Sequence, residues 1–298
     1  MNAIPGTVMA NFGNQVLVQD VNNFRYRCPE RNAINQLVAG DRVLIREERS
    51  QFNGDLKGSI VAKLPRKNEL SRPNSQRKLC PVAANIDFIL VIVSSLPTPQ
   101  PELIDRYVVA SESLGIAPIL VLNKSDLLEE NLQLKRSIRD LLSIYEKLDY
   151  TVVETSAKQH KTRNLKKVIK GKTSILVGQS GVGKSSLINE LLNRKATAVG
   201  PLSKGIDKGT HTTTTAQLFN MEIDGSIIDS PGIREFDLWH ISMQEVENSF
   251  KEFSPFIGKC RFRNCKHRTE PDCAIKEAVK TGIIAQRRLN SFHSITSP

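Results

Sequence analysis

Gly178 to Ser185 reads GQSGVGKS, a match to GxxxxGK[ST]. Gly178, Gln179, Ser180, Gly181, Val182 and Gly183 would let backbone N–H groups curl round a β-phosphate, Lys184 would reach the β- and γ-phosphates, and the Ser185 hydroxyl would take a Mg²⁺ position. An apolar strand, Ile175–Val177, precedes the motif and a helical stretch, Ser186–Leu192, follows it, so a helix N-terminus faces the anion. Asp229–Gly232, DSPG, follows the β-patterned Glu222–Ile228. Asp229 can hold Mg²⁺ through water while the Gly232 N–H meets the γ-phosphate. Asn123–Asp126, NKSD (Asn123, Lys124, Ser125, Asp126), ends the strand Ile119–Leu122. The Asp126 carboxylate can accept two hydrogen bonds from guanine N1 and N2, a pair that adenine cannot supply. Ser156, Ala157 and Lys158 follow the strand Tyr150–Glu154 and could complete the base pocket with backbone and the Lys158 stem.

A second cluster has metal-ligand chemistry. Cys260, Cys265, His267 and Cys273 fall within 14 residues and offer three thiolates and one imidazole, enough to close a tetrahedral Zn²⁺ site. The spacing is not the common CxxC pair, and free buried thiols are the competing reading. Arg261, Arg263, Lys266 and Arg268 lie in the same loop, so a metal that orders it also presents cations to phosphate, with salt-dependent binding. Cys28 and Cys80 stand apart; the set of five cysteines does not form a disulfide framework, which points to a reducing, cytoplasmic setting. His160, His240 and His293 stand alone and receive no role.

The elements that must position these groups are readable in outline. A chain of 298 residues is two or three modules at ~150 residues each. Lys and Arg exceed Asp and Glu by 42 to 31, a formal charge of +11, and a polyanion such as nucleic acid is the natural large partner. The longest apolar run, Phe88–Val93, is far short of the roughly 18 residues of a spanning helix, and the N-terminus lacks a secretory pattern. Short β-rich runs, Thr7–Gln19, Asn22–Cys28, Arg42–Glu47 and Lys57–Pro65, suggest a small OB-like barrel decorated by Arg25, Arg27, Arg42, Arg46 and Lys57 among others. Phe12, Phe24, Tyr26 and Phe52 are the few aromatics there that could stack bases, and a plain solvated face would carry the same charges. Glu69–Pro81 reads as a polar linker. Asp87–Ser94, Ala117–Leu122 and Ser174–Val177 read as strands buried on both faces of a parallel sheet, with Pro101–Leu114 and Asn131–Leu148 as crossover helices.

Together the motifs resemble translation-factor-related GTPases in an inverted order, because NKSD and SAK precede the phosphate loop and DSPG. That is a circular permutation. With the basic barrel and the Cys/His cluster, the chain is similar to the circularly permuted GTPases of small-ribosomal-subunit biogenesis, the RsgA (YjeQ) family, over nearly its whole length. The resemblance implies an OB-like barrel at 1–80, an α/β permuted P-loop GTPase domain at 81–233 and a helical zinc domain at 234–298. It implies GTP hydrolysis stimulated by the small (30S) subunit, late maturation of that subunit, contacts to 16S-type rRNA, a cytoplasmic monomer, and GTP, Mg²⁺ and one structural Zn²⁺. Carried over, Gly178 to Ser186 cradle the phosphates, Asn123, Lys124 and Asp126 read guanine, and Asp229 serves Mg²⁺. GTHTTTT at 209–215 corresponds to the first switch, with Thr213 or Thr214 a Mg²⁺ ligand and His211 the candidate catalytic histidine beside Lys184. Ile233 follows DxxG and cannot orient water as a Gln would, which is why His211 is the candidate. The same Ile233 keeps an RNA-binding scaffold that holds nucleotide without turnover as one alternative, and a GTPase acting on another RNA assembly is the other. Gly181 stands where some related GTPases carry a potassium-binding Asn, so no potassium site is assigned.

Overall fold

The computed structural model describes residues 3–30, 36–52, 55–73, 76, 78–129, 131–194, 215–230 and 241–297. Five strands, β1 (Ile4–Asn11), β2 (Gln15–Asp20), β3 (Arg25–Pro29), β4 (Arg42–Phe52) and β5 (Asp55–Lys63), form the N-terminal barrel. β1 pairs with both β2 and β4, and β5 with both β3 and β4, so the barrel closes. Alternation in β2 sends Val16 and Val18 inward, where they meet Val8, Tyr26, Cys28, Val43, Ile45 and Ile60. The run expected as one strand over Thr7–Gln19 is two, because Asn11 Oδ1 accepts from the Gly13 N–H at 2.8 Å and turns the chain. Tyr26 is buried in this core and cannot stack a base; Phe12 and Phe24 are exposed.

Glu69–Pro81 is not a linker. It contains β6 (Glu69–Pro73) and the first half of β7 (Leu79–Ala84), an antiparallel pair. Its polar composition hid an anchored root: Leu70, Ala83 and Ala84 are buried, and Arg66 clamps buried Asp41 with two bonds of 2.7 and 2.8 Å. The junction is tight at Gly40, where φ is +90° and an added Cβ would lie 2.1 Å from the Ala84 carbonyl oxygen. Gly40→Ala is therefore expected to cost at least ~2 kcal/mol, combining left-handed strain with displacement of β7. Urea unfolding of the two proteins checks this; equal midpoints would refute the tight approach.

The central domain runs β8 (Phe88–Ser94), α1 (Pro101–Ser113), β9 (Ala117–Asn123), α2 (Leu132–Glu146), β10 (Thr151–Glu154), α3 (Arg163–Val168), β11 (Thr173–Val177), α4 (Lys184–Leu191), β12 (Gln217–Asn220) and β13 (Ser226–Asp229). Its strands lie in the order β10-β9-β8-β11-β13-β12, parallel except for β12, and β12 joins β1 through Ala10 and Gln217. Ile89–Val93 is buried throughout because helices cover both faces, which is what the continuous apolar run required. The order in which successive strands are added reverses between the parallel neighbours β8 and β11, and the crevice at such a switch point is where α/β sheets bind ligands.

The C-terminal module holds α5 (Met243–Asn248), α6 (Ala274–Lys280) and α7 (Gln286–Ile295). Ser242 and Glu245 form a capping box that starts α5. Phe250, Phe253 and Phe292 are fully buried, and the module's core is continuous with Ile104, Tyr107 and Val108 of α1. Among the described residues no helix is long and apolar enough to cross a membrane.

Candidate nucleotide site and metal centre

Gly178 to Gly183 form the loop between β11 and α4, and Lys184, Ser185 and Ser186 open α4. Lys184 Nζ donates to the carbonyls of Gly178 at 2.6 Å and Gln179 at 2.9 Å, so the ammonium lies within the curve of the loop. Gly183 has φ +93°, and a Cβ there would stand 2.5 Å from Asn123 Nδ2. Only glycine allows the loop to lie this close to the base motif.

Asn123 ties three motifs together. Its side chain is 2% exposed; Nδ2 donates to the Val182 carbonyl at 2.9 Å, and Oδ1 accepts from the Ala157 N–H and Thr155 hydroxyl, both at 3.3 Å. Lys124, at φ +58°, bridges the carbonyls of Gly181 and Leu96, each at 2.7 Å. The Ser125 N–H donates to Thr155 O at 3.0 Å. Ser156 donates to Asp126 Oδ1 at 2.6 Å and accepts from the Gln159 N–H at 3.2 Å, which fixes the carboxylate's orientation. Lys158 is exposed in the turn after Ser156. Sequences 55 residues apart, NKSD and GQSGVGKS, thus share one crevice. Thr155 and Leu96 were not found by motif reading; Leu96 contributes only a backbone carbonyl, which leaves no sequence signal.

Asp229 ends β13, next to β11. Burial pushes its carboxyl pKa up, and the Lys184 ammonium opposes that push. His211, Thr213, Thr214, Gly232 and Ile233 lie outside the described residues.

Cys260, Cys265, His267 and Cys273 converge, with all four ligand atoms within 4.8 Å of one another. His267 Nδ1 is 3.2 Å from Cys273 Sγ and 3.6 Å from Cys260 Sγ, and the two sulfurs are 3.8 Å apart. A tetrahedral zinc with bonds of about 2.3 Å to sulfur and about 2.0 Å to nitrogen needs separations of roughly 3.5–3.8 Å. The donor set fits. Burial pushes the Cys265 thiol up to about 12, so a metal must displace its proton. Two supporting residues were missed. Glu247 Oε1 lies 3.1 Å from His267 Nε2 and leaves Nδ1 to face the sulfurs, while His293, read as isolated, has Nε2 3.0 Å from the His267 carbonyl. His160 is likewise partnered, by Glu190 at 2.8 Å.

A parallel sheet with a phosphate loop at its switch point, and an NKxD carboxylate pinned beside it from earlier in the chain, defines a circularly permuted guanine-nucleotide GTPase. Residues 63–239 match the family model described as RsgA GTPase, and the small ribosomal subunit biogenesis GTPase RsgA of Pseudomonas fluorescens (strain Pf0-1) is 48% identical over 295 residues, covering 97% of this chain and 84% of that one. The chain belongs to the RsgA GTPase family and is a GTP hydrolase. YjeQ from Thermotoga maritima has a crystal structure that superposes with a TM-score of 0.76 at 32% identity, over 100% of both chains. YloQ, described as a circularly permuted GTPase, gives 0.76 at 26% identity over 98% of this chain and 93% of its own.

Proposed function

We propose that this GTP hydrolase binds the small ribosomal subunit, assists its late maturation and turns over faster when bound to it, as a cytoplasmic monomer with domains at 1–80, 81–233 and 234–298. The observation that carries the reading is a relative of 48% identity named for small ribosomal subunit biogenesis. The excess of 42 basic over 31 acidic residues supports rRNA as the surface contacted, by the barrel and the metal loop. In the nucleotide site, Asn123, Lys124 and Asp126 read guanine, Ser125 and Ser156–Lys158 shape its pocket, and Gly178–Ser186 hold the phosphates. Ser185, Asp229 and Thr213 or Thr214 provide hydroxyl and carboxylate oxygens suited to Mg²⁺, which when bound neutralises phosphate charge. Phosphate release measured with separated subunits tests the proposal: small subunits should accelerate it and large subunits should not. Equal rates with and without small subunits would end it.

His211 positions or deprotonates the attacking water, since Ile233 has no polar group to do so. His211→Ala should keep GTP affinity and lose the subunit-stimulated rate by roughly 10²-fold or more, and an unchanged stimulated rate would remove His211 from the mechanism. One structural Zn²⁺ is held by Cys260, Cys265, His267 and Cys273. Stripping it with a chelator should lower the melting temperature by roughly 10 °C or more, with restoration by added zinc. Elemental analysis finding no zinc in folded protein would contradict this.

A further inference from the structure

The four residues between the first two metal ligands, Arg261, Phe262, Arg263 and Asn264, are all exposed. Cys260 and Cys265, which bracket them, belong to the metal cluster, and the Cys265 N–H closes the turn onto the Phe262 carbonyl at 3.3 Å. Phe262 is not among the residues of the buried cores, and the residue is 42% exposed. The Arg261 guanidinium stands over that ring, 5.6 Å from its centroid, and is itself held by Asp272 at 2.9 Å. The adjoining acid, Glu270, is occupied by the N–H groups of Lys266 and Arg268, each at 2.8 Å. What faces solvent is an aromatic ring on a turn fixed at both ends, with exposed Arg263 and Lys266 beside it.

We propose that Phe262 is a base-stacking platform that takes one unpaired nucleotide of RNA, with Arg263 and Lys266 on the flanking phosphates. Three observations favour RNA over a protein partner. The neighbouring charges are cations that match a phosphate backbone; the ring is flanked in the chain by exposed Arg261, Arg263 and Asn264 and by no exposed apolar residue; and the turn is closed by its own hydrogen bond before binding, so stacking costs little further entropy. The inference rests on the proposed small-subunit reading and adds a residue-level contact to it. Arg263 then supplies a salt-dependent term and Phe262 a salt-independent one.

The test uses the full-length, zinc-loaded chain and purified small subunits, with affinity measured across a salt series. Phe262→Leu keeps apolar bulk without a π-face and should weaken binding by roughly 5- to 100-fold with an unchanged salt slope. Phe262→Trp should bind at least as well as the parent chain. Arg263→Gln should flatten the slope by about one phosphate contact. Basal GTP hydrolysis and zinc content should be the same in all three. If Phe262→Leu binds like the parent, or if leucine and tryptophan weaken binding equally, the stacking assignment is overturned. If the parent chain does not bind small subunits, it is the proposed function that fails.

Discussion

Asp126→Asn should lower GTP affinity by roughly a thousandfold and raise affinity for the xanthine analogue by a comparable factor. The carboxylate accepts from both guanine N1–H and the N2 amine, and an Asn amide can accept only one of these while its NH₂ opposes the other. Xanthine has a carbonyl where guanine has the amine, so the same amide pairs with it. The variant keeps the site's architecture, because Ser156 donates to Asp126 Oδ1 at 2.6 Å and an amide oxygen accepts equally well. Asn123 and Lys124 hold the phosphate loop through their own bonds to Val182, Gly181 and Leu96. Competitive titration with guanine and xanthine nucleotides reads both halves of the exchange. A variant that still prefers GTP would show that Asp126 does not read the base.

Asp105→Ala should destabilise the chain by about 3–5 kcal/mol, an effect on stability larger than that expected of Gly40→Ala. Asp105 is fully buried on α1 and accepts from Tyr145 at 2.6 Å, Arg287 at 2.9 Å and Arg288 at 2.5 Å. Arg288, also fully buried, reaches Glu252 at 2.5 and 3.2 Å and lies 4.4 Å over the Phe250 ring. Burial alone would lower the Arg288 pKa, but Asp105 and Glu252 outweigh it and raise it, so the guanidinium stays charged. Two arginines and two carboxylates balance between α1 and the C-terminal module. Removing one acid leaves an uncompensated cation in the interior, which costs more than the pair contributes. Urea unfolding reads the loss, and limited proteolysis should release the C-terminal module first. If Asp105→Ala matched the parent in both, the docking account would fail.

The nucleotide motifs were legible because each is a contiguous run whose chemistry is complete in four to eight letters, as NKSD and GQSGVGKS are. The parallel strands were legible for a related reason: burial on both faces leaves an unbroken apolar run at Phe88–Val93. What the sequence hid depends on distant pairing. Arg288 and Asp105 are 183 positions apart, and a lone Arg on a helix reads as a surface charge. Glu247 and His293 support the metal loop through tertiary contacts that no spacing rule encodes. The β6–β7 hairpin was lost because among its described residues only Leu70, Ala83 and Ala84 are buried, too few apolar positions to stand out among prolines and charges. β12, four residues long, owes its place to pairing with β13 and β1 rather than to a pattern of its own.

Calorimetric titration of the purified chain with non-hydrolysable GTP and ATP analogues tests most directly whether the phosphate loop and Asp126 grip one molecule from opposite ends. One guanine nucleotide should bind per chain, ATP should not compete, and Lys184→Ala and Asp126→Ala should each abolish the heat. Equal uptake of the adenine nucleotide, or undiminished GTP binding in either variant, would contradict the account.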